Sequence, residues 1–305
     1  MDKARKTIKV NKASITPTLS EAAFVKSLKV QNDIYNVSFK NIQFSGADLT
    51  ALFEKKSIIA NELVLEPVIK IFNDRTVMPG TESKMGKYPY RSMMKMRTKF
   101  FIKNIKVKNG YISYRERGAI SKNIGDVFFS NVNGSIENVT NIDSCIKQKL
   151  MMEVKVQAKF LNMAVLNSHW KMPMNAVDGA FVITGKLAGF NGTNTNPIIE
   201  PLGMGSIKSG NMKNFTFNIK ANDKKAEGDV VLLYDNLKIK LLKNSEQGIK
   251  NKSLNSFIAN ILIKNQNPSN GNLRTGKIEF NRVMTTSFFN IVWKSLFDGF
   301  KKSLR

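Results

Sequence analysis

The feature that most constrains this chain is a period-two alternation of apolar and polar side chains. Met152, Val154, Val156, Ala158 and Phe160 alternate with Glu153, Lys155, Gln157 and Lys159. Phe215, Phe217 and Ile219 alternate with Thr216, Asn218 and Lys220. Tyr35, Val37 and Phe39 do so with Asn36, Ser38 and Lys40, and Ile278 and Phe280 with Lys277, Glu279 and Asn281. Successive side chains of a strand point to opposite faces. Each run therefore predicts a strand with one apolar and one basic or amide face, as in a half-buried antiparallel sheet. The stretch 230–242 is apolar on both faces, with Val231, Leu233, Leu237, Ile239 and Leu241 on one and Val230, Leu232 and Leu242 on the other.

Turn chemistry separates the runs. Asn109-Gly110 lies between 101–107 and 111–114 and reads as a hairpin turn, a signal repeated at Asn133-Gly134, Asp178-Gly179 and Glu227-Gly228. The stretches 191–197 and 265–271 read as loops. From Met78-Pro79-Gly80 to Tyr88-Pro89-Tyr90 the chain reads as flexible, either a domain boundary or a long excursion. This divides it into an N-terminal β-rich portion (1–77), a connection (78–98) and a C-terminal β region (99–305). Met93, Met94 and Met96 read as gap-filling core.

Helices are expected to be few. Short ones fit 20–28 and 46–55, and 253–263 fits a short helix or a strand. The clearest covers 285–304, where Phe289, Val292, Trp293, Leu296, Phe297, Phe300 and Leu304 recur at three- and four-residue spacing. Lys294, Lys301, Lys302 and Arg305 lie elsewhere on it, and Thr285, Thr286 and Ser287 are candidate caps. Its aromatic face either caps a β core or lies in a membrane interface with the basic side towards head groups. Plugging the end of an open sheet would combine both.

Charge narrows the partners. There are 48 Lys+Arg against 23 Asp+Glu, a net +25, which attracts nucleic acid, anionic lipid head groups or lipopolysaccharide. Only nine of these cations are Arg, and the Lys are dispersed. Nucleic-acid readers concentrate Arg, whose planar fork matches phosphate and guanine edges, so no nucleic-acid partner is expected. Cys145 is the single Cys, so no disulfide forms within the chain. No apolar run nears the ~20 residues that span a bilayer. The opening Met1-Asp2-Lys3-Ala4-Arg5-Lys6 leads into no apolar signal region. Taken alone this points to the cytoplasm; the alternative is a fragment of a longer, anchored protein.

Motifs for covalent chemistry are lacking. His169 is the only His, with neither HxxxH nor CxxC, so no zinc site is expected and His169 reads as a strand or surface residue. Gly203-Met204-Gly205 and 205–210 precede an alternating run and read as a turn or bulge, not a phosphate loop. Asp223, Glu227, Asp229 and Asp235 cluster in sequence on a turn and a strand, where solvated positions fit better than a metal site. No catalytic residue, metal or cofactor is expected.

A family resemblance emerges from an ordered series. Val177-Asp178-Gly179-Ala180-Phe181-Val182-Ile183-Thr184-Gly185-Lys186-Leu187 is followed by Asn196-Pro197-Ile198-Ile199-Glu200-Pro201-Leu202-Gly203, Ile207-Lys208-Ser209-Gly210, Ala226-Glu227-Gly228 and Tyr234-Asp235-Asn236-Leu237-Lys238-Ile239. Then come Ala259-Asn260-Ile261-Leu262-Ile263 with Asn267-Pro268, Ile278-Glu279-Phe280-Asn281-Arg282, and Ser287-Phe288-Phe289-Asn290-Ile291-Val292-Trp293-Lys294-Ser295-Leu296-Phe297-Asp298-Gly299. This succession resembles the C-terminal region of AsmA-like proteins of Gram-negative envelopes, over most of 101–304 and more weakly before it.

The resemblance implies a mainly β fold: an elongated antiparallel sheet curled into an apolar trough, with few short helices. It implies a non-enzymatic role in moving phospholipid towards the outer membrane, from the periplasmic side of the inner membrane. The family's N-terminal anchor is not found in this chain, which fits a fragment. The expected partners are phospholipid or another anionic lipid, the membrane surface and other envelope proteins.

The alternation itself leaves the cover of the apolar face open. A second sheet, as in a sandwich, or acyl chains can bury it, at ~0.8 kcal/mol per methylene either way. The candidate lipid-facing residues are Met152, Val154, Val156, Phe160, Phe215, Phe217, Ile219, Val231, Leu233, Leu237, Ile239 and Leu241. The candidate membrane or cap helix carries Phe289, Val292, Trp293, Leu296, Phe297, Phe300, Lys294, Lys301 and Lys302. The alternative function is a closed β domain that binds an anionic protein or polysaccharide through its Lys-rich surface.

Overall fold

The alternating runs fold as strands, and their register joins them into one surface. A computed structural model describes residues 6–148, 150–202, 205–240 and 263–305. In chain order these form β1 (Ile8–Ile15), α1 (Glu21–Ser27), β2 (Ile34–Ser45), α2 (Leu49–Phe53), β3 (Ile58–Asp74), α3 (Pro89–Met94), β4 (Phe100–Arg117), β5 (Ile124–Thr140), α4 (Asp143–Lys147), β6 (Met151–Phe160), β7 (Ala164–Pro173) and β8 (Phe181–Asn191). A 3-10 turn (Gly192–Thr195), α5 (Asn196–Ile199), β9 (Ser206–Ala221), β10 (Lys225–Lys240), β11 (Gly276–Asn281) and α6 (Phe288–Ser303) follow. The protein is mainly β, as expected. The eleven strands lie in sequence order in a single sheet that does not close into a barrel. A second sheet, as a sandwich would need, is absent among the described residues.

The sheet is antiparallel except between β3 and β4, which pair in parallel. A parallel pair needs a crossover, and residues 75–99 supply it. The stretch 78–98 is therefore an excursion from a sheet that continues through it, from Leu63↔Ile105 to Ile71↔Tyr114. It is pinned rather than loose. Tyr88 is 0% exposed, packs edge-on against Phe181 and Phe288, and donates its hydroxyl to the Asn222 carbonyl at 2.8 Å.

Directly paired residues present their side chains to the same face. Following the pairs gives a single apolar row across every strand: Ile8, Phe44, Leu63, Ile105, Ile136, Val154, Trp170, Ile183, Ile219, Gly228 and Ile278. The adjacent row on the opposite face is polar, running Lys106, Ser135, Lys155, His169, Thr184, Asn218 and Asp229.

Several turn expectations are corrected. Asn109-Gly110 is no hairpin: β4 runs through it, with register shifts on either side of Gly110. Asn133-Gly134 and Glu227-Gly228 likewise lie inside β5 and β10. At the two asparagine sites the physical reason is the β-bulge, while at Glu227-Gly228 the pairing simply runs on without a shift. Asn tolerates a left-handed backbone, and Asn41, Asn109, Asn131, Asn138 and Asn236 all have φ between 48° and 61° within strands. Shifts in pairing sit beside four of them, at Lys40/Gln43, Val107/Gly110, Ser130/Asn133 and Asp235/Lys238. Each bulge bends its strand and raises the local twist, so these asparagines curl the sheet. Asp178-Gly179 does form a turn, between β7 and β8, with Gly179 at φ +68°.

The C-terminal helix is corrected in orientation. It starts three residues later than expected, with the Ser287 hydroxyl accepting from the Asn290 amide. Its most buried residues are Phe288, Ile291, Ser295, Gly299 and Ser303, with Val292, Leu296 and Phe300 of the expected face packed beside them and Phe289 and Trp293 turned outward. Close approach dictates this: a Cβ on Gly276 of β11 would overlap the Gly299 carbonyl, and one on Gly299 would meet Val230 and Ile278. At that glycine contact no ring fits, and Phe289 and Trp293, on the outward side, remain 47% and 43% exposed. The expected short helices α1 and α2 fall within their stretches, capped by Ser20 and Asp48, whereas α3, α4 and α5 lie outside them and the 3-10 turn and α5 take up the expected 191–197 loop. The stretch 253–262, and with it the helix-or-strand expectation there, lies outside the described residues, as do Gly203 and Met204.

Asp74 ends β3 and fixes its corner. It accepts from the Thr76 amide at 2.9 Å, the Thr76 hydroxyl at 2.6 Å and Arg117 Nε at 2.9 Å. Burial alone would raise its carboxyl's pKa, but the Thr76 hydrogen bonds and the Arg117 charge outweigh it and hold it below 3.8. A depressed folded pKa adds stability above the unfolded value and loses it as pH falls through the folded one. Asp74→Asn is expected to cost about 1–3 kcal/mol near neutrality. The deficit should shrink below about pH 4, as read from urea midpoints at pH 6 and pH 3.

Candidate functional site

The apolar face is covered unevenly, and that makes the site. Over β9–β11 it lies under α6, where Ile219 and Ile278 are buried with Val230 and Ile291. At one end, Tyr88, Tyr90, Met93 and Met94 close it over Met152, Met172 and Phe181. At the other, Met212, Leu232, Tyr234 and Leu237 pack with Leu304 and Phe300. Between these covers, over β4–β7, Ile105, Ile136, Val154 and Trp170 of the same row are only half-buried, as is Val156. The result is an apolar trough flanked by the helix.

A groove of about 960 Å³ crosses β4–β9 at this level. It follows a second paired row, Val107, Gly134, Val156, Ser168, Gly185 and Phe217. Polar residues flank that row, among them Lys106, Lys108, Lys155, Lys186, Asn133 and His169, and no carboxylate lines the groove. The alternation pointed to Val156 and Phe217 but not to the small residues. Their signal was glycine within a strand, which marks close approach: the Phe217 ring lies over Gly185.

Of the candidate lipid-facing residues, Met152, Val154, Val156, Phe160, Phe215, Phe217 and Ile219 share the apolar face through the paired rows. Met152 and Ile219 are sealed in the core, whereas Val154, Val156 and Phe160 are half-buried. Val231 and Leu233 are corrected. They pair with Thr216 and Asn214 on the polar face, while Val230 and Leu232 face the core. The shift at Asn236 then brings Leu237 and Ile239 onto the core side with Leu232, so 230–240 is not a single alternating register. Leu241 lies outside the described residues.

On α6, Phe289, Trp293 and Phe297 form the stripe turned away from the sheet, with Trp293 stacked on Phe297 at 6.4 Å. Val292 and Leu296 pack on the core, and Phe300 joins the second core cluster. Lys302 pairs with Asp298 at 3.0 Å and Glu279 at 3.1 Å. Lys301 lies over the Phe297 ring at 5.3 Å.

His169 sits on the polar face with Nε2 2.9 Å from Glu153 Oε2. That hydrogen bond, with Lys171 and Lys155 nearby, lowers the Glu153 carboxyl's pKa. Asp223 is not solvated, contrary to expectation. It is 8% exposed, bonded to Arg91 at 2.6 Å and 3.7 Å from Arg282. Among the described residues, no group of three or more His, Cys, Asp or Glu is placed to hold a metal, and no helix is long and apolar enough to cross a membrane.

Comparison with protein-family models, curated proteins and solved structures gives no match.

Proposed function

We propose that this chain is a non-enzymatic, AsmA-like envelope segment that holds phospholipid acyl chains in its apolar trough and conducts them along it. One observation carries the reading: an uninterrupted apolar row crosses all eleven strands, and its central part is half-buried rather than sealed. Apolar surface left uncovered invites apolar cover, and acyl chains can slide along a uniform greasy surface without a covalent step. The basic exterior suits anionic membrane surfaces. In this reading the chain works on the periplasmic side of the inner membrane, beside other envelope proteins.

Two tryptophans test it, Trp170 in the trough and Trp293 on the outward stripe of α6. Phospholipid brominated along its acyl chains should quench Trp170 and Trp293, the two tryptophans of the chain. Val156→Asp, at a half-buried position, should abolish quenching while leaving the urea midpoint within about 1 kcal/mol of wild type. A folded wild type that brominated lipid leaves unquenched would sink the proposal. The second reading, a domain binding an anionic protein or polysaccharide, draws on the lysine-flanked groove with no lining carboxylate. It predicts binding that Lys108→Glu/Lys186→Glu removes and Val156→Asp spares.

A further inference from the structure

Lys294 is half-buried on α6 and, among the described residues, has no ion-pair or hydrogen-bond partner. Its helical neighbour Asp298, four residues on, is already engaged by Lys302 at 3.0 Å and lies 3.9 Å from Lys301. The charges that act on Lys294 come from the corner where β3 and β4 end, from Arg75 and Glu116. Glu116 is committed there, 3.2 Å from Arg75 and 3.3 Å from the Tyr114 hydroxyl. The corner's other carboxylate, Asp74, is likewise engaged by Arg117 at 2.9 Å, so neither carboxylate there is left for Lys294. Burial, and then Arg75, pull the Lys294 ammonium's pKa below its ordinary 10.5, with Glu116 opposing.

Lys294 is also well placed beside apolar surface. It follows Trp293 in sequence, and Lys301, seven residues on, shares its side of the helix. These two cations border the Phe289–Trp293–Phe297 stripe. A desolvated cation is costly unless an anion meets it. A cation beside an apolar aromatic stripe suits a ligand with one anionic and one apolar end.

We propose that Lys294 anchors the phosphate of an anionic phospholipid whose acyl chains lie along Phe289, Trp293 and the central strands; this rests on the trough reading above. Charge complementarity at one half-buried site then makes the trough prefer a net-anionic lipid to a zwitterionic one.

The test compares acyl-brominated phosphatidylglycerol with acyl-brominated phosphatidylcholine, each in detergent micelles, by tryptophan quenching of the full chain. Wild type should bind the glycerol lipid about tenfold more tightly, the scale of one charge-assisted contact. Lys294→Gln should remove that preference while keeping phosphatidylcholine binding, and Lys294→Arg should restore most of it. Lys12→Gln, on exposed β1 and away from the groove, controls for general attraction to the net +25 chain. A preference that Lys12→Gln erases as fully as Lys294→Gln does, or one that survives Lys294→Gln, overturns the proposal, as does equal binding of the two lipids. Quenching by neither lipid is a separate result and overturns the trough reading itself.

Discussion

Asp223→Ala is expected to destabilise the fold by about 3–5 kcal/mol, the cost of stranding a buried cation. The cation is Arg282, whose side chain is 0% exposed. Arg282 donates to the Lys84 and Thr286 carbonyls at 3.0 Å each and lies 4.9 Å over the Tyr88 ring. Asp223 faces it from one side and holds Arg91 at 2.6 Å from the other. This cluster ties the 78–98 connection, the β9–β10 turn and the segment after β11 to one another. Removing the carboxylate loosens all three, whereas removing both charges in Asp223→Ala/Arg282→Met should cost less than the two single changes added together. Urea denaturation of the four proteins gives the coupling. A loss below about 1 kcal/mol for Asp223→Ala would show the cluster to be solvated and weak.

Gly276→Val is expected to cost about 3 kcal/mol and to free α6 from the sheet. Overpacking usually costs about 1–3 kcal/mol because side chains can shift. Here the first atoms met are the Gly299 carbonyl oxygen and carbon and then the Ser303 amide nitrogen, all backbone, so the helix itself must move. Its displacement would uncover Val230, Ile278 and Ile219, which are 0–1% exposed. Urea denaturation and limited proteolysis near Lys301 and Lys302 read the two effects. A stable variant with a protected C-terminus would mean that α6 is not seated glycine against glycine.

The sequence was most informative where a local rule decides the outcome. Strand alternation at 152–160 and 215–219 needs no partner to be read, because the backbone pleat imposes it. The same rule failed at 230–240, where the bulge at Asn236 changes the face partway along β10. Asn109-Gly110 misled for a related reason: its left-handed preference suits both a hairpin turn and a bulge, and only the neighbouring strands decide between them. The helix was legible in extent but not in orientation. An amphipathic pattern marks which residues are apolar, not that Gly276 leaves room for small ones alone. Asp223 looked solvated because its partners, Arg91 and Arg282, lie 132 and 59 residues away in sequence. The trough itself is a property of register across strands, invisible until the pairs are known.

The most direct measurement of the central claim is native mass spectrometry, with lipid extraction, on the full chain purified in mild detergent from a membrane-bearing host. The account predicts co-purifying phospholipid that is lost in a folded Val156→Asp variant, whose aspartate would sit in the half-buried centre of the trough. A folded wild-type protein that carries no lipid, and takes none up when phospholipid is added, would contradict it.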